Sequence, residues 1–520
     1  IRWISAMLGD RVVPFRYAGL DSGRMTRGLR PYDSPELKIP AADAYIKLLR
    51  QAGIVLDSEE RKASIREQVQ QAAALLGGQA LVEDALLAEV TNLVEMPTAV
   101  MGAFNPDFLS LPRDVLISVM KKHQRYFPVE KNGRLLPHFI AIRNGDDLHI
   151  DLVRQGNEHV LGARFADADF FVREDLKQPL EAYRPKLSGL IFQTRLGSML
   201  EKSDRMDKLV NLLIPMLKLD AAEAVFARRA AHLAKADLVT QMVMEMTSLQ
   251  GIIGREYALR SGEQQQVADA IAEHYQPVPK SRIGLAVALA DRLDSLAGLF
   301  AAGLVPSAAK DPFGLRRAAI GVVQPLIEQG ASFNLREAVQ AASGLQPVEV
   351  KPEVQEQVLD FITGRLSVVL KELGYRYDVV EAVLAEQSEN PAGSADAVRQ
   401  LQAWVEREDW SSILPAFARC VRITRDQEQT FRVDKRALVE PQEKALFGAL
   451  EKAEKAARAP GCLDDFLNSF TPMIPAVNAF FDEVLVMTDD RRLRENRLGL
   501  LQRIAALARG VADLSKLEGF

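Results

Sequence analysis

The chain has 520 residues, 48% of them hydrophobic and 26% charged, with a net charge of −5. That length holds roughly three or four domains at about 100–200 residues each. The charge excludes a wholly basic nucleic-acid binder but not a local basic surface.

Two cysteines, Cys420 and Cys462, make neither a disulfide framework nor a zinc cluster, and they suit a reducing cytoplasm. No apolar run of about 18 residues marks a membrane span. No signal peptide is read. The first residue is Ile1, and IRWISAMLGDRVVPF reads as strand already under way, so the chain is expected to begin inside a domain.

Residues 1–45 alternate short apolar runs with Gly, Pro and Asp turns, which predicts β structure. From about 46 to 100 the pattern becomes helical and charged. VMKKHQRYFPVEKNGRLLPHFIAIRNGD then predicts a helix end followed by a hairpin turning at KNG. In KKHQRYF, Lys122, His123 and Arg125 mix cations with aromatics, a composition suited to single-stranded RNA. Alternation across a hairpin produces the same string. GNEHVLGARFADADFF follows as a helix with Asn157 as its cap.

From about 186 to 345 the chain reads as almost all helix. Placed on one helix, 232–253 puts Leu238, Met242, Met246, Leu249 and Ile253 on an apolar stripe beside a polar one of Asp237, Gln241, Glu245 and Ser248. His232 and Asp237 stand about 140° apart on such a helix, so they cannot share one ion unless it breaks between them. Downstream, Asp291 and Asp294 fall roughly on one face. The region has the scaffold of an HD-type helical domain with its imidazoles missing: Ala236 stands where the His of a His–Asp dipeptide would be, Asp237 beside it, and Asp291 at the place of a final ligand. Transition-metal sites need several such ligands together, so metal binding is not expected. Asp237 and Glu245 then read as structural polar groups.

QPVEVKPEVQEQ reads as a connector. In SSILPAFARCVRITR, Ser411 or Ser412 is the expected cap. Leu414, Phe417, Val421 and Thr424 form the expected buried face, and Arg419, Arg422 and Arg425 one exposed edge. After a helix buried through Phe480, Val484 and Met487, Asp489 or Asp490 is expected to cap the next. There Arg497 shares an apolar row with Leu493, Leu500, Ile504 and Leu507. This predicts a paired structural arginine, with Asp489, Asp490 or Glu483 as partner. Arg491, Arg494, Asn496 and Arg503 lie off that row. Such side chains suit phosphates and base edges.

MKKHQRYFPV, GNEHVLGARFADADFF, AKADLVTQMVMEMTSLQGIIGREYA, DPFGLRR and FDEVLVMTDDRRLRENRLGLL, taken in order along the chain, resemble the β subunit of bacterial- and chloroplast-type heterotetrameric glycyl-tRNA synthetases. The resemblance implies an α2β2 partnership in which an α subunit carries the aminoacylation site and attaches glycine using ATP and Mg2+. This chain would bind no cofactor itself and would capture tRNA-Gly. The absence of a P-loop and of H-I-G-H and K-M-S-K-S strings agrees with that division. An N-terminal portion of the family's β subunit has no counterpart here.

The expected fold is α+β and multidomain. The end of an N-terminal α+β domain (1–105) and an α+β segment with a hairpin (106–185) precede a degenerate HD-like helical domain (186–345). A helical linker (346–400) then leads to an anticodon-binding helical domain like that of arginyl-tRNA synthetase (401–520). The resemblance strengthens tRNA contact for Arg422, Arg491, Arg494 and Asn496, with Arg419 and Arg425 of the same exposed edge, and Lys122, His123 and Arg125, as further candidates. Two other readings stand beside it: an HD-type metal-dependent phosphohydrolase, and a non-enzymatic RNA-binding protein.

Overall fold

The computed structural model describes residues 1–520, and the chain is α+β, with small sheets toward its start and helices through the rest. It divides into two compact units. One comprises Ile1–Gln178 and Thr240–Glu256, the other Pro179–Val239 and Tyr257–Phe520. No helix is long and apolar enough to cross a membrane.

In the first unit, short strands occupy residues 4–38. A four-stranded antiparallel sheet follows, in the order Gln79–Ala80, Phe127–Lys131, Arg134–Asn144, Pro97–Ala103. Its hairpin turns at Asn132 (φ 51°) and Gly133 (φ 76°). Two positive φ values are what a two-residue type I′ turn demands, and Asn-Gly supplies them with little strain. Gly102 is equally necessary: a Cβ there would lie 2.2 Å from the Phe139 ring, which crosses the sheet at that point. Ile65, Val69, Leu86, Leu87, Val90, Phe127, Val129 and Ile140 close the core between this sheet and two helices, Ser58–Leu75 and Asp84–Leu93.

The long helix of this unit runs Ile150–Asp175, so Asn157 lies inside it and does not cap it. Leu161, Phe165, Ala168 and Val172 are buried along one stripe, and two turns upstream Asp151 pairs with Arg154 across one turn. Packing and this pair carry the helix through Gly156 and back to His149. At its far end Asp175, fully buried, accepts the backbone N–H groups of Gln241 and Met242 at 2.9 and 3.0 Å. That carboxylate anchors the segment 240–256.

In the second unit, the helix Arg282–Ala301 is buried on nearly every side. Met199–Met216, Ala221–Leu233, Gln265–Glu273, Leu315–Glu328 and Leu335–Ser343 pack on it. The expected single helix over 232–253 does not form. Ala221–Leu233 ends at Ala234 in extended conformation, and Lys235 takes φ 71°. Short turns Ala236–Val239, Gln241–Glu245 and Thr247–Leu249 follow before Ile252–Arg260. Lys235, Asp237 and Thr240 are all buried. The break lets Lys235 reach Asp291 and lets Thr240 cap the turn Gln241–Glu245.

Beyond the connector, Trp410–Thr424 is a helix whose first residue is preceded by Asp409, not by a capping serine; Ser412 instead donates to the Asp409 carbonyl. Burial of Trp410 moves the start back from the expected serines. Val421 is only half-buried, beside the buried Leu414, Phe417 and Thr424. Ile474–Glu483 stops before Met487, which is exposed. Asp490 caps Arg491–Ala505 by accepting from the Arg492 and Leu493 N–H groups, as expected.

Candidate functional site

Asp291, on the central helix Arg282–Ala301, has both carboxylate oxygens engaged. Lys202 Nζ is 3.0 Å from Oδ1 and Lys235 Nζ 2.8 Å from Oδ2. Lys202 also reaches Asp294 Oδ2 at 3.0 Å and donates to Ser295 Oγ at 2.8 Å. Arg205 donates to Asp294 Oδ1 at 2.6 Å. The lysines come from the helix Met199–Met216 and from the break after Leu233, so the break is what delivers Lys235 to Asp291.

Burial would raise the Asp291 pKa, but the two ammonium groups outweigh it and hold the carboxyl well below the usual range. Burial pushes Lys235 down, with Asp291 opposing. Burial also pulls on Lys202, yet Asp291 and Asp294 together raise it. The same burial, reinforced by Lys235, holds His274 down at about 3, a neutral imidazole at physiological pH.

Two ammonium groups therefore occupy both oxygens of Asp291. His232 is engaged elsewhere: its ring nitrogens lie 2.9 Å from Asp207 and 3.2 Å from Glu181. Arg184 donates to the His232 carbonyl and bridges Asp204 and Asp207. Asp237 is fully buried beyond Lys235. The residues present do not compose a transition-metal ligand set, and the phosphohydrolase reading finds no support in them.

In the first unit, Lys122 and His123 are exposed in a π-helical turn, Val119–His123. Arg125 (φ 56°) is exposed but paired with Glu89 at 2.9 Å. Of these three candidates, Lys122 and His123 carry no carboxylate partner.

The arginine edge near the C-terminus divides into two groups. Arg422 and Arg425 are exposed and carry no carboxylate partner; Arg422 lies 5.5 Å from the Phe520 ring. Arg419 is half-buried, paired with Asp482 at 3.0 Å over the Phe481 ring. Arg491 is exposed and pairs with Glu495 at 2.7 Å, one turn along. Arg494 is half-buried and donates to the Thr488 carbonyl.

Asn496 is buried. Its amide oxygen accepts the Asp434 N–H at 2.7 Å, and its nitrogen donates to the Asp434 carbonyl. Both ends of the amide hold the loop 426–440, so the side chain is not presented to a ligand. The helix period put it off the apolar row, but the loop folding over it supplied the cover.

Arg497 is buried and paired within the molecule. Its partner is Glu443, fully buried, and not Asp489, Asp490 or Glu483. A second donor of Arg497 goes to the Leu485 carbonyl.

Sequence reasoning passed over Arg432 and Arg436. Both are exposed in the loop that Asn496 fastens, with no carboxylate partner. The interleaved FRVDKR was the available signal. The helices Trp410–Thr424 and Arg491–Ala505 pack together, so the edge and the loop belong to one face-forming framework. Exposed, unpaired guanidinium groups on such a framework can bind phosphate bidentately.

A family model described as glycyl-tRNA synthetase beta subunit matches residues 1–385. The chain is 40% identical over 529 residues to the chloroplastic/mitochondrial glycine–tRNA ligase 2 of Arabidopsis thaliana, covering 100% of this chain and 50% of that protein. It is 40% identical to the glycine–tRNA ligase beta subunit of Moorella thermoacetica, over 99% of this chain and 77% of the relative. With the corresponding subunit of Clostridioides difficile the identity is 39%, over 99% and 76%. The chain thus spans half of the plant relative and about three quarters of the bacterial ones.

Proposed function

The chain belongs to the glycyl-tRNA synthetase β-subunit family, and from that premise we propose that it captures and positions tRNA-Gly for a separate α subunit. In this reading the chain is part of a cytoplasmic glycine–tRNA ligase of α2β2 composition. The aminoacylation site, with its ATP and Mg2+, lies on α. This chain holds no catalytic residue for that step.

The supporting observation within the molecule is the set of exposed arginines without carboxylate partners, Arg422, Arg425, Arg432 and Arg436, in the C-terminal helical region. Arginines that lack a carboxylate have no ion pair to break before meeting a phosphate. Phosphate contacts fix the register of the bound nucleic acid. Unstacked anticodon bases then become readable by their edges. Holding the tRNA in place fixes where its acceptor end meets the α site, and correct positioning is worth orders of magnitude in rate. The net negative charge elsewhere on the chain limits binding to wrong nucleic acids.

Glycylation of tRNA-Gly by a matching α subunit, with and without this chain and across a salt series, tests the proposal. A large rise with the chain that disappears at high salt is expected. No rise, with no salt-dependent tRNA binding, would overturn it.

A further inference from the structure

A cavity of about 540 Å³ opens beside the Asp291 centre, lined by His274, Tyr275, Asp291, Arg292, Phe313 and Arg317 among others. Its size falls within the range of small-molecule sites. Two buried polar atoms of its lining lack a partner in the fold.

His274 is only 1% exposed, and its Nδ1 lies 2.6 Å from the Ile271 carbonyl. A carbonyl can only accept, so Nδ1 carries the hydrogen and Nε2 presents a lone pair. That Nε2 has no partner, and neither has the buried Tyr275 hydroxyl. Orphaned buried polar atoms are rare and costly. Arg317 at the rim is exposed without a carboxylate, and Phe313 beside it is 43% exposed.

The two carboxylates of the lining are spoken for. Asp291 is held by Lys202 and Lys235. Asp311 accepts the Leu315 and Arg316 N–H groups at 2.8 and 2.9 Å. Arg292 is fixed by the carbonyls of Gln276 and Gly321. It passes so close to Gly321 that a Cβ there would lie 2.7 Å from the guanidinium. With its carboxylates satisfied and Arg292 and Arg317 in its wall, the cavity favours an anion.

We propose that this cavity holds one nucleotide unit whose base carries an exocyclic amino group. The amine donates to His274 Nε2, the base lies against Phe313, and the phosphate pairs with Arg317. A simple anion would use Arg317 alone, and an apolar ligand would leave His274 and Tyr275 unsatisfied. A nucleotide engages His274, Phe313 and Arg317 together. The unit can be an unpaired residue of an RNA strand or a free mononucleotide. The inference stands on the cavity and does not depend on the function proposed above.

The test is calorimetric titration of the full chain with AMP, UMP, inorganic phosphate and a single-stranded tetra-adenylate. Saturable AMP binding is expected, with UMP about tenfold weaker because it cannot supply the amine. Phe313→Ala and Arg317→Ala, both at the surface, should each weaken AMP about tenfold and leave the melting curve in place. His274→Phe should abolish the preference for AMP over UMP.

Tighter binding of the tetra-adenylate through the same residues assigns the site to an RNA strand, and equal binding assigns it to the free nucleotide. Absence of saturable binding by both, competition by phosphate as strong as by AMP, or unchanged affinity in Arg317→Ala and Phe313→Ala would overturn the proposal.

Discussion

Lys235 Nζ lies 2.8 Å from Asp291 Oδ2, although a helix break separates Lys235 from the helix that precedes it and 56 residues separate the two in the chain. The ammonium arrives there because Ala234 and Lys235 leave helical geometry. Lys235 is buried there, so its charge is balanced by Asp291 rather than by water.

Replacing that cation should therefore cost stability. Lys235→Met leaves Asp291 with Lys202 alone, and an ion pair broken from one side costs roughly 3 kcal/mol. The double variant Lys235→Met, Asp291→Asn should recover much of the loss, because the carboxylate no longer needs a partner. Urea unfolding with an unchanged slope is the measurement. A single variant as stable as the parent would show that Lys202 suffices.

His274 sets a pH dependence. Its folded-state value near 3 lies below its ordinary 6.5. Between those values the unfolded chain binds a proton that the folded chain refuses, so stability falls as pH falls through that window, by about 1.4 kcal/mol per pH unit. Asp291, depressed in the fold, adds to the loss only below the ordinary carboxylate range. The slope of unfolding free energy between pH 6.5 and 5 should accordingly flatten in His274→Phe.

The buried pair of Arg497 and Glu443 makes a prediction opposite to that for the surface arginines. Arg497→Ala should destabilise by about 3–5 kcal/mol, since it strands the Glu443 carboxylate. The tRNA affinity of the protein that remains folded should stay the same. Glu443 also accepts the Val439 and Glu440 N–H groups, so the end of the loop should exchange its amide hydrogens faster in this variant.

Arg422→Ala with Arg425→Ala should leave the melting temperature nearly unchanged and weaken tRNA binding. Each lost phosphate contact should lower the slope of log affinity against log salt by about 1. A filter-binding salt series reads this directly. A drop in melting temperature without a change in slope would make both residues structural.

Asn496→Ala removes the two bonds that fasten Asp434. Loss of a buried, bonded amide costs about 1–3 kcal/mol. Any loss of tRNA affinity should then track disorder of the loop carrying Arg432 and Arg436. Proteolysis within 426–440, compared with binding, separates this from direct recognition.

The features legible in the sequence were those made by neighbours in the chain. Asn132-Gly133 specified the hairpin turn, because only a few residue types tolerate two positive φ values in succession. Asp490 specified a helix start through N–H groups two and three residues away. Arg497 announced its burial by falling in an apolar row. The ordered strings that resembled one family were readable for the same reason, since they are linear.

What the tertiary structure alone decided was which distant group each polar side chain meets. Glu443 reaches Arg497 across 54 positions, Glu89 reaches Arg125 across 36, and the loop at Asp434 closes over Asn496 across 62. The break after Leu233 belongs to this class as well: local propensity favours continuing that helix, and only the buried needs of Lys235, Asp237 and Thr240 oppose it. Helix periodicity reports which way a side chain points. Whether it meets water, a carboxylate or a loop depends on packing between segments far apart in sequence, where tertiary burial outweighs local preference.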